Sequence, residues 1–385
     1  MNIILFDGPS RNHLLPFTFT RPVSEIRVGI ITLREKWEKR IEGNYSWQTE
    51  EYLQGKYPMN AGADNLFING ALCANDALAK AASNLKLGQK LLAGDILLAA
   101  KLESQDLESS LETVNFDGEF NLIDRPWKIF SLNGAELESD FDLITKGRKS
   151  QPLSETNTVI GDRIFVEEGV EAECAVFNTK SGAIYLGKNS SVMEGSVVRG
   201  GLALGEHSQL KLSAKIYGPT TIGPRSKVGG EVNNSVIFGY SNKGHDGFLG
   251  NSVIGEWCNI GADTNNSNLK NNYDEVRIWS YVRGGFERTG LQFCGLMMGD
   301  HSKCGINTMF NTGTVVGVSA NIYGGGFPRN FIPSFSWGGS GGFVDYKLDK
   351  ALATAGRVME RRKIDLDENE RSILQHVYDT TKASR

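Results

Sequence analysis

The chain has 385 residues, 41 Lys and Arg against 45 Asp and Glu, a net charge of −4 and 45 glycines. That length exceeds one ordinary domain, and the balanced charge excludes the strongly basic surface that nucleic acid or an anionic membrane selects. No run of 18 apolar residues occurs, so no membrane-inserting helix is expected; five cysteines, none in a CxxC pair, fit a reduced, cytoplasmic protein.

Residues 1–152 read as an α/β unit. Ile3-Ile4-Leu5-Phe6 is a buried-type strand ending before Gly8, too short for a signal peptide. Residues 24–41 predict a helix with Ser24 as its N-cap, residues 66–68 a second strand, and residues 75–86 a second helix; 90–100 is a further apolar stretch. Residues 125–153 are a polar connection with a helix around 135–147, which places a boundary near 150–155.

From Leu186 the chain repeats in sixes. The first places are Leu186, Val192, Val198, Leu204, Leu210, Ile216, Ile222 and Val228, all aliphatic; the fifth places are mostly small, as in Ser190, Ser196, Ser208 and Ser226. A period of six suits neither a 3.6-residue helix nor a simple alternating strand. It suits short strands joined at corners, one side chain per strand pointing inward. The phase returns at Phe248, Ile254 and Ile260, and again at Met298, Cys304, Phe310, Val316 and Ile322, with a weaker start at Ile160 and Val166. The pattern resembles the hexapeptide repeat of left-handed β-helix acyltransferases, which implies a left-handed parallel β-helix over 153–337 and a homotrimer.

Two resemblances bear on activity. The string DGPSRNHLLPFTFTRP is similar to the phosphate loop that opens sugar-1-phosphate nucleotidyltransferases, which would set Gly8, Arg11 and Arg21 at a nucleotide. The loop lacks the second and third glycines that let backbone approach a pyrophosphate, so nucleotidyl transfer is expected to be weak or absent. Mg²⁺ is implied only if this domain is active, with Gly94-Asp95 as a weak ligand site, or Asn69-Gly70 with the acid missing. Further on, Gly244-His245-Asp246-Gly247-Phe248-Leu249-Gly250-Asn251 and Asn259-Ile260-Gly261-Ala262-Asp263-Thr264 resemble the acetyltransferase half of the GlmU-like bifunctional enzymes that make UDP-N-acetylglucosamine. Phe248 stands where that family has a substrate-contacting tyrosine. Its active-site asparagine corresponds to Asn268 by strict register, or to Asn272 in Asn272-Tyr273-Asp274 if four residues are inserted.

The resemblance implies an acetyl-CoA-dependent N-acetyltransferase acting on an amino-sugar phosphate or nucleotide-linked amino sugar. His245 would be the general base, because an amine must lose its proton before it attacks a thioester and an imidazole titrates near neutrality. Lys243, Asp246, Phe248, Asn259, Asn268, Lys270, Asn272 and Tyr273 would line the acceptor. Acetyl-CoA would lie between neighbouring chains beside Ala262, Gly299, Gly317 and Val318. The alternatives are a nucleotidyltransferase working through the N-terminal domain and a non-catalytic sugar-nucleotide-binding scaffold. The five histidines (His13, His207, His245, His301, His376) include no pair at zinc-ligand spacing, so no metal is expected in the β-helix.

Residues 265–295 interrupt the repeat with an aromatic-rich insertion, expected to be functional. The GGSGG stretch after Trp337 reads as a flexible hinge. Residues 338–385 then read as a helical tail, about 345–363 and 367–382, with Asp367 capping the second helix and Arg361-Arg362-Lys363 as a charged helix end.

Overall fold

The computed structural model describes residues 1–103, 106–107 and 110–385. Its N-terminal part is a six-stranded sheet in the order Asn44–Gln48, Asn2–Phe6, Asn65–Asn69, Ile96–Leu102, Gln89–Ala93, Glu112–Asn115. The first three strands are parallel, and Ile96–Leu102 runs antiparallel to its neighbours. Residues 3–6 form an unbroken apolar run because both sheet faces are covered: Ile3 and Leu5 pack toward Trp37 and Leu78, Ile4 and Phe6 toward Phe67 and Ala100.

The helix predicted over 24–41 is confined to Leu33–Glu38, where Thr32 and Glu35 form a capping box. Ser24 lies buried in a short 3-10 turn and caps nothing. The reason is local: Gly29 sits at φ +80, and the β-branched residues around it are held extended by tertiary bonds. The Gly29 N–H donates to Asn133 at 2.8 Å and the Ile30 N–H to the Asp140 carboxylate at 2.8 Å. Asp140 also pairs with the buried Lys36 ammonium at 2.6 Å, tying this segment to the helix Asn133–Thr145.

Strands from Thr158 to Gly339 wind a left-handed parallel β-helix with three faces. All eight aliphatic first places are at most 2% exposed and belong to one column. On the covered face, strands run from Ile164–Val166 to Phe331–Ile332. Its outward side chains in the early coils, Phe165 and Ala203, pack under Leu137 and Phe141. Those of the later coils (Val236, Val253, Met297, Val315) pack under Leu14, Phe17 and Val23 of the N-terminal segment. The helix-side face runs from Glu171–Ala172 to Ser336–Gly339. The open face, Thr158–Ile160 to Phe248–Gly250, leaves Val197 and Tyr217 exposed.

Three expectations shift here. Leu249, not Phe248, continues the inward column, since it stands opposite Val232, while Phe248 stands opposite Glu231 and faces out. The coil between these strands is shorter than 18 residues, so strict counting in sixes slips a place. The insertion forms a hairpin, Arg277–Ser280 with Gly285–Arg288. Its Val276 and Ile278 join the core beneath the N-terminal segment, and Tyr281 meets Phe19 at 5.4 Å. The GGSGG stretch is the turn of a hairpin in which Gly342–Asp345 pairs back on Ser336–Gly339.

The tail helices are Leu348–Glu360 and Glu368–Thr380, the second capped by Asp367. They cover the corner formed by Trp257, Val318 and Phe335, and His376 stacks on Tyr52 at 3.8 Å.

Candidate active site

The corner where the helix-side face turns into the open face carries the exposed His245, between the strands Asn242–Lys243 and Phe248–Gly250. Lys243 stands opposite Val228 in the inward column and is 2% exposed. Its ammonium is satisfied by backbone carbonyls: Nζ donates to Gly229 at 2.9 Å, His245 at 2.8 Å and Asp246 at 3.5 Å. Burial lowers its pKa to about 8, opposed by the Asp246 carboxylate. The expectation that Lys243 meets substrate is therefore overturned. A strand with no room for solvent on its inner side turns this lysine inward, where it braces the histidine turn.

Asp246 is exposed beside His245, and its carbonyl accepts from the Asp263 N–H of the next coil at 3.1 Å. Ala262 is thus the neighbour of His245 along the corner. Asn259 is exposed on the helix-side face, opposite Asn242 of the preceding coil, at the start of the strand that leads into Ala262.

On the open face, Phe248 and Asn268 converge over Gly250: a Cβ there would meet both the Phe248 ring and the Asn268 amide. The Asn268 amide is aimed by Asn251, whose Oδ1 accepts from it at 2.8 Å. Asn272 lies outside this cluster in an exposed turn, bonded to Asp274, with Tyr273 exposed beside it. Lys270 donates to the Glu275 carbonyl at 2.7 Å and faces a different cavity. Sequence reasoning passed over Asn251, Asn265 and Asn266. Asn265 accepts from the Phe248 N–H at 2.8 Å, and Asn266 holds both the N–H and the carbonyl of Gly250. The run Asn265-Asn266-Ser267-Asn268 was the available signal, since polar ladders of this density are rare unless they hold backbone in place.

Gly299, Gly317 and Val318 do not join Ala262. They lie on the corner between the covered and helix-side faces, buried under Pro16 and the tail helices. A coil has three corners, and sequence counting stepped from one to another. The corner of Ala262 continues instead at Asn307, whose N–H donates to the Ala262 carbonyl at 2.8 Å, with Ile306 exposed beside it.

In the N-terminal domain, Arg11 is buried. Its guanidinium donates to the Thr18 carbonyl at 2.9 Å and Tyr52 at 2.8 Å, and pairs with Asp7 at 3.3 Å. Arg21 pairs with Asp300 and, at 3.3 Å, with Glu256, so it joins the N-terminal segment to the β-helix. Both are held by internal partners, which corrects their assignment to a nucleotide. Gly8 lies against Asn69. A 410 Å³ cavity near it is lined by Ser10, His13, Asn69, Asp95, Asp124 and Arg125 among others.

The family described as sugar nucleotidyl transferase matches residues 3–149. Over part of its length the chain is similar to GlmU-like bifunctional proteins. It is 27% identical over 237 residues to the bifunctional sugar-1-phosphate nucleotidylyltransferase/acetyltransferase of Sulfurisphaera tokodaii, covering 60% of this chain and 52% of that protein. It is 26% identical over 229 residues to the bifunctional protein GlmU of Methanococcus vannielii, covering 60% and 49%. The chain thus spans about half the length of the curated relatives it matches. Among solved structures, LpxA, a UDP-N-acetylglucosamine acyltransferase from Bacteroides fragilis, matches with 13% identity and a TM-score of 0.34, over 58% of this chain and 96% of that one. The polySia-specific acetyltransferase NeuO matches with 14% identity and a TM-score of 0.30, over 55% and 99%. Among the described residues no helix is long and apolar enough to cross a membrane.

Proposed function

We propose that the chain transfers the acetyl group of acetyl-CoA to the amine of an amino-sugar phosphate or a nucleotide-linked amino sugar, with His245 as general base. The observation that carries this reading is the exposed imidazole on a turn braced from inside by Lys243, with Phe248 and Asn268 beside it on the open face. His245 accepts the proton the amine sheds as its nitrogen bonds to the acetyl carbon. The C–S bond breaks, and the proton passes from His245 to the departing thiolate. Asn268, fixed by Asn251, and Asp246 hold acceptor hydroxyls, and Phe248 provides an apolar wall where the hydroxyl of a tyrosine is absent. Acetyl-CoA would run along the corner from Ala262 toward Ile306. A neighbouring copy would supply the other wall of this groove. Supporting that homotrimer are the exposed apolar side chains Leu212, Ile306, Val197 and Met309 along this corner and the open face. The test is acetyl-CoA consumption by the purified chain against a panel of amino-sugar phosphates and nucleotide-linked amino sugars; no acceptor-dependent release of coenzyme A thiol from any of them overturns the reading.

For the N-terminal domain, the family match over 3–149 supports binding of a nucleotide or sugar phosphate in the cavity of Ser10, Asn69 and Arg125. Asp95 lines that cavity and would be the acidic ligand of any Mg²⁺ that entered with a phosphate, whereas Asp124 is already paired with Lys128 at 2.8 Å. With Arg11 and Arg21 engaged elsewhere, we assign this domain to binding ahead of nucleotidyl transfer.

A further inference from the structure

A cavity of about 980 Å³ lies under the inserted hairpin and away from the His245 corner. It opens where the open face turns into the covered face in the last coils, lined by Thr312, Asn330 and Phe331. Its chemistry is of two kinds. One wall is aromatic: Trp279 stacks on Phe331 at 4.2 Å and 9°, and Phe286, 45% exposed, meets Trp279 edge-on at 5.5 Å. The rest of the rim carries Lys270, Arg277 and Arg329.

These cations have no internal carboxylate among the described residues. Lys270 donates only to the Glu275 carbonyl, and Arg329 lies over the Phe343 ring at 5.3 Å. Arg277 stands directly across the hairpin from Arg288, a like-charged pair that a cross-strand position penalises. The nearby Glu275 is already taken by Arg288 and by the Gly290 N–H. Strand alternation turns Glu287 to the opposite face of the hairpin, with Ile278. A pocket with flat aromatic walls and unneutralised guanidinium groups suits a ligand that is both flat and anionic. Guanidinium forks grip phosphate oxygens in pairs, and any base can stack on an aromatic ring. The volume is within the range of small-ligand sites, roughly 300–1,000 Å³.

We propose that this cavity binds a nucleoside phosphate, its base against the Phe286–Trp279 wall and its phosphates on Arg277 and Arg329. The proposal does not rest on the acetyl-transfer reading, because no residue of the His245 corner contributes to it. The test is calorimetric titration of the full chain with UDP, adenosine 3′,5′-bisphosphate and inorganic pyrophosphate. At least one nucleotide should bind with a dissociation constant below about 1 mM and at least about tenfold tighter than pyrophosphate. Tighter UDP binding points to a sugar nucleotide as the source, and tighter bisphosphate binding points to the nucleotide end of a coenzyme. The double variant Arg277→Ala/Arg329→Ala should weaken that binding at least about tenfold. Phe286→Ala, at an exposed position, should weaken the nucleotide while leaving pyrophosphate unchanged, and it serves alone if the double variant does not fold. Absence of nucleotide binding, equal affinity for pyrophosphate, or binding that survives these substitutions overturns the proposal; in the last case the nucleotide occupies another cavity.

Discussion

The ammonium of Lys243 donates to the carbonyl of His245 at 2.8 Å from inside the coil. An ordinary inward position holds an aliphatic side chain, as Val228 and Ile260 do in the adjacent coils. A cation placed there is unfavourable unless its donors are met, and three carbonyls from two successive turns of this corner, Gly229, His245 and Asp246, meet them. The turn that carries the imidazole is therefore fixed by a group that touches no substrate.

Lys243→Met should separate stability from activity. Burial lowers the pKa of the wild-type lysine to about 8, from the ordinary lysine value of 10.5. Between these values the unfolded chain holds the proton that the folded chain has lost, so stability rises with pH across that window. The rise attributable to Lys243 is on the order of 3 kcal/mol at most, and Lys243→Met should lack it. At pH 7 the variant should melt within a few degrees of wild type but lose about tenfold or more in kcat, with KM little changed, because the turn is no longer braced. Urea titrations at pH 7.5 and 10 with steady-state kinetics check both; a variant with full kcat removes Lys243 from the site.

His301 carries an opposite pH signature. It lies buried at the corner beside Trp257, Nδ1 without a partner, and burial lowers its pKa to about 3 with the Lys303 charge adding to the effect. As pH falls below 6.5 the unfolded chain takes up a proton that the folded chain refuses. Stability is thus complete above that value and drains away toward pH 3, by at most about 5 kcal/mol from this residue. His301→Gln should show a shallower loss of unfolding free energy between pH 7 and 4; equal slopes for both proteins refute the assignment.

The column of Leu186 to Val228 was legible because a six-residue period survives only when each strand hides one side chain. The corners were not. Trp257, His301 and Phe335 adopt left-handed backbone near φ +55 to +60, where sequence reasoning looks for Gly or Asn; Trp257 and Phe335 are compensated by packing against the tail helices, and His301 by its contact with Trp257. The same blindness put Gly299 and Gly317 beside Ala262, since spacing reports a corner but not which of the three it is. Lys243 reads as a surface lysine in any one-dimensional pattern, and only the pairing with Val228 shows it facing in. For the N-terminal domain, Arg11 and Arg21 were visible as loop arginines, but their partners Tyr52, Glu256 and Asp300 are remote in sequence.

The open face should mediate self-association. Light scattering is expected to give three times the 42.2 kDa chain mass. Val197→Glu combined with Tyr217→Glu, both on exposed outward positions, should reduce this to the single-chain mass with the β-helix intact by circular dichroism. A wild-type chain that stays monomeric at micromolar concentration rules out the trimer.

Nucleotidyl transfer should be slow. Arg11 is engaged by Asp7, Thr18 and Tyr52, and Arg21 by the β-helix, so neither is free to neutralise a triphosphate. Pyrophosphate release from UTP or dTTP with sugar 1-phosphates and Mg²⁺ should remain below about 1 s⁻¹. Faster turnover that is abolished by Asp95→Asn would make this domain an enzyme in its own right.

His245 itself is the most exposed to refutation. General-base assistance is worth about 10²–10⁴ in rate, so His245→Ala should lose at least about a hundredfold in kcat on any acceptor the wild type acetylates. Its side chain is exposed and outside every buried cluster, so the melting temperature should barely move. Wild-type kcat/KM should fall on acidification, since a protonated general base cannot accept the amine's proton, and the variant should lack that limb. Asn268→Ala, which leaves the imidazole in place, should weaken the rate while keeping the limb. If the pH limb persists in His245→Ala, the proton is taken by another group, and the bracing of this turn by Lys243 serves the fold and not the chemistry.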